Sequence, residues 1–223
     1  MGLLDGIFFR SGPKWKDRTE AGNELASVIR EQMPDVGGKG VVLGLPRGGI
    51  VVAKAVAERL GLPLDFRAVK KVGHPIQPEF AIGAVDISGT SVRNPFVQPS
   101  EMPLDSEYEA MVAKALDEAV DMEFDLSGDN PSRLPGSDWC LIVDDGAATG
   151  LTILAVVKGL KSEGYGVYVA VPVTSVQAKN ILEKEADGFY TIDAAEDFRA
   201  VGQYYENFSQ VSTQEARAIL SGE

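Results

Sequence analysis

Trp139-Cys-Leu-Ile-Val-Asp-Asp-Gly-Ala-Ala-Thr-Gly-Leu-Thr152 opens as a short apolar run and closes as the start of a helix. Cys140 to Val143 has the length and β-branched content of a strand buried on both faces. Asp144 and Asp145 follow, then a turn of small residues from Gly146 to Gly150. Leu151 to Lys161 reads as a helix. A strand that ends in acids and turns through small residues into a helix N-terminus makes an anion site. Backbone N–H groups converge there, and the helix dipole adds to them.

Small residues at Gly146, Ala147, Ala148 and Gly150 let the backbone come close to a ligand, and the hydroxyls of Thr149 and Thr152 add donors. Four or five charge-assisted hydrogen bonds of roughly 1.5–3 kcal/mol each give about 6–15 kcal/mol gross. That is enough to hold a phosphate near the ~8 kcal/mol of micromolar binding once association costs are subtracted. A phosphate alone leaves the two carboxylates unexplained. Paired acceptors suit two neighbouring hydroxyls, and a ribose 5-phosphate offers both the diol and the phosphate.

A second strand–turn–helix unit lies upstream. Val41-Val-Leu-Gly-Leu45 is its strand, Pro46-Arg-Gly-Gly49 its turn and Ile50–Leu60 its helix, closed by Gly61 as a left-handed cap. Gly44 and Gly49 have the spacing of a triphosphate P-loop, but Ile50 and Val51 stand where Lys and Ser/Thr are required. Before this unit, residues 17–33 repeat Ala21, Leu25, Val28 and Ile29 at helical spacing, with acids in the first turn. Pro34 and the Gly37–Gly40 run end that helix. After it, Leu64–Val72 reads as a strand turning basic at Lys70 and Lys71, with Phe80–Ile87 as its hairpin partner across the Gly73–Glu79 loop.

Residues 88–106 read as an irregular insertion, Glu107–Phe124 as a helix and Asp125–Ser137 as the link back to the acidic motif. Beyond the motif come a strand at Tyr165–Val173, a helix at Val176–Lys184, a strand at Gly188–Asp193 and a final helix near Thr213–Leu220, whose start carries capping residues. The alternation predicts an α/β fold, a mainly parallel twisted sheet flanked by helices with right-handed crossovers. Residues 1–223 form one domain in this reading, with a flap or insertion at 87–137 and a hood and C-terminal helix at 194–223. Ligands in such sheets sit at the carboxyl ends of the strands. Pro46–Gly49 and Asp144–Gly150 can therefore face one cleft.

The chain has 223 residues, 44% of them hydrophobic, which supports a sizeable core. No run approaches the ~18 apolar residues of a membrane span. Met1–Phe9 lacks a basic n-region and contains Asp5, so no signal peptide is expected. The single cysteine excludes an intramolecular disulfide, and no Cys/His cluster exists to hold zinc. The expected location is cytoplasmic. A net charge of −12 argues against a nucleic-acid partner.

Ile142-Val-Asp-Asp-Gly-Ala-Ala-Thr-Gly-Leu-Thr152 resembles the phosphoribosyl diphosphate (PRPP) signature of type I phosphoribosyltransferases: an apolar strand, an acidic pair, three or four residues, then Thr-Gly-x-Thr. Pro46–Gly49 resembles their pyrophosphate loop. Together with Lys70-Lys-x-Gly-His-Pro75 and Val201-Gly-Gln-x-Tyr-x-x-Phe208, these segments resemble a bacterial and archaeal branch of undefined acceptor, from about Asp17 to Leu220. The resemblance implies Mg²⁺-dependent transfer of 5-phosphoribose from PRPP to a nitrogen acceptor, a nucleobase or related heterocycle, with release of pyrophosphate.

On this resemblance PRPP is bound by Arg47, Gly48, Gly49, Lys70, Lys71, Asp144, Asp145, Gly146, Ala147, Ala148, Thr149, Gly150 and Thr152. Asp144, Asp145, Arg47, Lys71 and His74 are the expected catalytic residues. An imidazole titrates near neutrality, which suits a group that protonates or hydrogen-bonds departing pyrophosphate. Mg²⁺ is expected to be held mainly through PRPP, with no direct protein ligand. Phe198, Tyr204, Tyr205 and Phe208 are the candidate acceptor hood, and a homodimer is compatible with the family. Ala148 stands where 6-oxopurine transferases carry an aspartate, which argues against hypoxanthine or guanine as acceptor.

The chief competing reading is a PRPP-binding sensor without turnover. The basic arm around Lys71 favours catalysis, because a sensor has no leaving group to stabilise. A receiver-type phosphoacceptor domain would carry its acids after the first strand, and a PRPP-forming pyrophosphokinase would need an ATP loop.

Overall fold

The computed structural model describes residues 12–33, 39–128, 134 and 136–222. Met1–Phe9, Pro34 with residues 35–38, and part of the Asp125–Ser137 link lie outside these. In chain order, α1 (Arg18–Gln32), β1 (Gly40–Gly44), α2 (Gly48–Leu60) and β2 (Leu64–Phe66) come first. Next are β3 (Val69–Gly73), β4 (Ala81–Asp86), β5 (Ser91–Arg93) and the long α3 (Asp105–Ser127). Then follow β6 (Trp139–Val143), α4 (Leu151–Ser162), β7 (Gly166–Ser175), α5 (Val176–Glu185), β8 (Gly188–Ala195) and α6 (Thr213–Ser221).

Five parallel strands form the main sheet in the order β2-β1-β6-β7-β8, and β3-β4-β5 form a separate antiparallel sheet. Alternate strand residues feed two cores. Val42, Leu141, Val143 and Ala170 pack with Leu25, Ile29, Val52 and Val56 of α1 and α2. Val41, Leu43, Cys140, Ile142 and Val169 pack on the other side with Ile153, Val157 and Leu160 of α4. Both faces being covered, β1 and β6 are apolar throughout. Burial pushes the Cys140 thiol up to about 12, so it serves packing rather than chemistry. No helix among the described residues is long and apolar enough to cross a membrane.

Local chemistry sets most element ends as expected. Asp17 caps α1 by accepting from the Glu20 N–H at 3.0 Å, and Gly61 ends α2 at φ 69°. Three expectations need correction. The single strand expected over Leu64–Val72 is two strands in different sheets. The ladder on β1 ends where the Arg67 N–H donates to Gly44 at 3.3 Å, and the Ala68 N–H then goes to the Glu123 carboxylate at 3.0 Å. The 88–106 segment is not irregular throughout, because β5 pairs with β4 and Pro99–Glu101 forms a 3-10 turn. The capping residues expected at the Thr213 start of the last helix begin one residue earlier, at Ser212, which is reciprocally bonded with Glu215.

Arg67, at the break between the sheets, ties the antiparallel sheet to the end of α4. Its Nε and Nη2 donate to Asp86 Oδ2 at 3.1 and 2.9 Å, and Nη2 donates to Glu163 at the end of α4 at 2.5 Å. Asp86 is fully buried, and its other oxygen accepts from the Ser88 N–H and hydroxyl and from the Thr90 N–H.

Candidate functional site

The central sheet places β1 beside β6, with Gly44 opposite Val143, so the loops that leave these strands lie side by side. The Leu45 N–H donates to the Val143 carbonyl at 3.0 Å and holds the two exits together. The loop after β6 is pinned from its far side by β7. The Ala147 N–H donates to Val173 at 2.9 Å, the Ala147 carbonyl accepts from the Ser175 N–H at 2.9 Å, and the Ser175 hydroxyl donates to the Ala148 carbonyl at 2.7 Å. The amides of Ala148, Thr149 and Gly150 are bonded to no other described residue. Gly150 turns the chain into α4 at φ 71°, a left-handed conformation that favours glycine. Free amides at the head of a helix, with Thr149 and Thr152 beside them, make an anion cradle.

Across from the cradle, Gly48 and Gly49 form the first turn of α2 rather than a separate turn before it. Their amides are therefore donors without helical partners. A Cβ on Gly49 would lie 2.7 Å from Asp144 Oδ1 and 2.9 Å from both Asp144 Cα and the Val143 carbonyl. A Cβ on Gly48 would overlap Asp145 Oδ2 and crowd Arg18 Nε at 2.9 Å. The glycines thus let this turn press directly on the acidic pair. Gly49→Ala is expected to cost about 1–3 kcal/mol by forced separation of the two loops. Urea unfolding checks this.

Asp144 and Asp145 are the electrostatic centre. Burial raises the Asp144 carboxyl well above the usual carboxylate range and the neighbouring Asp145 charge adds to it, opposed by the Asp145 N–H, Lys71 and Arg18. Burial also raises Asp145, against the attraction and hydrogen bond of Arg18 and the charge of Lys71. Arg18 Nε donates to Asp145 Oδ2 at 2.8 Å. The same cleft is lined by Arg47, whose Nη1 donates to the Thr213 hydroxyl at 3.3 Å, and Lys70, whose Nζ is 3.7 Å from Glu118.

One cleft of about 850 Å³ gathers most of the expected site residues: Arg47, Gly48, Lys70, Lys71, Asp144, Asp145, Gly146, Ala147, Ala148, Thr149, Gly150 and Thr152. Gly49 lies just behind it, against Asp144. His74 is not in its lining. Its ring bonds the Glu101 carbonyl at 3.1 Å and accepts from the Ile76 N–H at 3.2 Å. Of the four hood aromatics, only Phe208 lines the cleft, and its ring already stacks on Tyr205 and under Arg18. Tyr204 packs beside Phe198, while Tyr205 turns inward, 4% exposed, and donates to the Asp145 carbonyl at 2.6 Å.

The family model described as a phosphoribosyl transferase domain matches residues 14–208. The chain belongs to the phosphoribosyltransferase family. A protein named as a phosphoribosyl transferase in two strains of Mycobacterium tuberculosis is 36% identical over 207 residues, which cover 92% of this chain and 46% of that protein. The chain therefore spans about half the length of these curated relatives. The crystal structure of TT1426 from Thermus thermophilus is 37% identical and has a TM-score of 0.73, with 93% of this chain and 97% of that one covered.

Within this phosphoribosyltransferase fold, three polar residues of the cleft lining escaped sequence reading. Arg18, Glu79 and Gln210 line the cleft alongside the expected residues. Arg18 left one faint signal, a cation in the first turn of a helix, where the dipole disfavours it. Glu79 and Gln210 left none. Among the described residues no group of three or more His, Cys, Asp or Glu side chains is placed to hold a metal ion.

Proposed function

We propose that the protein transfers 5-phosphoribose from PRPP to a nitrogen acceptor, a nucleobase or related heterocycle, with release of pyrophosphate. The observation that carries this reading is the meeting of three unlike features in one cleft: a helix-terminal amide cradle, an acidic pair and a wall of Arg47, Lys70 and Lys71. The cradle suits the 5-phosphate and the acids suit the ribose hydroxyls. The cations, with the Gly48 and Gly49 amides, suit the diphosphate.

Bond breaking at the anomeric carbon builds positive charge on the ribose and negative charge on the leaving group. Ionised carboxylate at Asp145 steadies the first, and Arg47 and Lys71 steady the second. Asp145 Oδ2 is already occupied by Arg18, so the acidic pair offers few free donors to a metal. This donor set fits an ion that arrives on the diphosphate, where Mg²⁺ would neutralise charge on the leaving group. His74 would reach the diphosphate only by leaving its present bonds to the Glu101 carbonyl and the Ile76 N–H.

Titration calorimetry with Mg²⁺ and PRPP, followed by a pyrophosphate-release assay over a panel of nucleobases and related nitrogen heterocycles, tests the reading. Micromolar PRPP binding with acceptor-dependent pyrophosphate release is the expected result. Tight binding without release from any acceptor would replace the transferase with a PRPP sensor, and absence of binding would remove both.

A further inference from the structure

Arg18 joins the acidic pair to parts of the chain far from it in sequence. It is the first residue of α1, and its side chain is only 10% exposed. Nε donates to Asp145 Oδ2 at 2.8 Å, and Nη1 donates to the Ser209 carbonyl at 2.8 Å. The guanidinium carbon lies 3.9 Å from the centre of the Phe208 ring. Nε and Nη2 also stand 2.9 and 3.0 Å from the place a Gly48 Cβ would take. A planar guanidinium held at so many points is fixed in orientation, as an ammonium would not be. Tyr205, in the same C-terminal segment as Phe208 and Ser209, donates its hydroxyl to the Asp145 carbonyl. The 205–209 strap thus holds Asp145 twice, once directly and once through Arg18.

We infer that Arg18 is a positioning residue for the ribose subsite: it holds the Asp145 carboxylate in place, and makes the seating of the 205–209 strap a condition for binding the ribose diol. This rests on the transferase reading above. With Oδ2 taken, Asp145 offers Oδ1 to a ribose hydroxyl. The charged and titratable groups facing Asp145 are Asp144 from its own loop, Lys71 from β3, Arg18 from α1 and Tyr205 from the strap. Arg18 is the cation hydrogen-bonded to it, whereas Lys71 acts through space. Without Arg18, a buried carboxylate next to Asp144 takes up a proton at higher pH, and the diol loses its acceptor.

Titration calorimetry of wild type, Arg18→Met and Arg18→Lys with PRPP, ribose 5-phosphate and pyrophosphate, each with Mg²⁺ over about pH 6–8.5, separates this role from a structural one. Arg18→Met is expected to weaken PRPP and ribose 5-phosphate by roughly ten- to a hundredfold and to leave pyrophosphate within about twofold, which also reports a folded variant. The acid-side loss of ribose 5-phosphate affinity should move to higher pH, and Arg18→Lys should recover part of both effects. Equal weakening of all three ligands, or no change for the ribose compounds, overturns the inference and leaves the transferase reading standing. A wild type that binds none of the three overturns both.

Discussion

Asp144→Asn/Asp145→Asn should lower phosphoribosyl transfer by at least about 10³-fold while the protein remains folded. Preorganised groups aimed at developing charge typically contribute about 10²–10³ in rate each, and groups that act as a unit are not additive. Asparagine keeps the shape and the oxygen that accepts the Asp145 N–H at 2.8 Å, but it cannot supply negative charge to the ribose. Circular dichroism and pyrophosphate release measured side by side check the prediction, and undiminished turnover would remove the acids from the mechanism.

The single variant Asp144→Asn adds a stability test with a definite sign. Burial, and next the charge of Asp145, raise the Asp144 carboxyl in the folded protein above its unfolded value. The folded state then binds more protons at this group than the unfolded state at pH values above the ordinary carboxylate range, so the contribution of Asp144 to stability is most favourable in acid and is lost as pH rises through the raised value. Asp144→Asn has no such cost. It is expected to melt above wild type near pH 8, with the difference shrinking toward pH 4. A difference that grew toward acid would contradict the assignment. The acidic pair would then be a site whose function is held at the expense of stability.

Arg67→Met is expected to destabilise the fold by about 3–5 kcal/mol, because it leaves the fully buried Asp86 carboxylate without its cation. The contact with Glu163 contributes little to this figure, since that side chain is 33% exposed. Arg67→Met/Asp86→Asn should recover a large part of the loss, since the uncompensated charge is gone. Urea unfolding of the two variants decides the matter. Equal destabilisation would mean that Arg67 acts through packing alone.

The parts of the site that the sequence reveals are those built from neighbours in the chain. The strand ending at Val143, the acids and the small-residue turn share one short segment, so periodicity and turn chemistry are enough to place them. The same holds for the Arg47–Gly49 turn. Reading failed where a residue's partner is distant. Leu64–Val72 has an unbroken strand pattern, yet Arg67 leaves the first sheet because Asp86 and Glu163 bind it. The aromatics at 204–208 look alike in sequence, yet Tyr205 turns inward because the Asp145 carbonyl and Trp15 are there to receive it.

Local pattern in the sequence by itself therefore determined an α/β chain with a parallel sheet and, at the end of one of its strands, an acidic pair followed by a small-residue turn into a helix. Only the tertiary structure decided that Arg18 would meet Asp145, that Gly48 and Gly49 would press against the acids, and that His74 would bond the Glu101 carbonyl outside the cleft lining. A helix turn or a strand needs only the few residues along it, whose spacing is visible. The Arg18–Asp145 contact bridges 127 positions and exists because α1 packs on the sheet beside α2 and the 205–209 strap bonds both residues, which no spacing in the chain records.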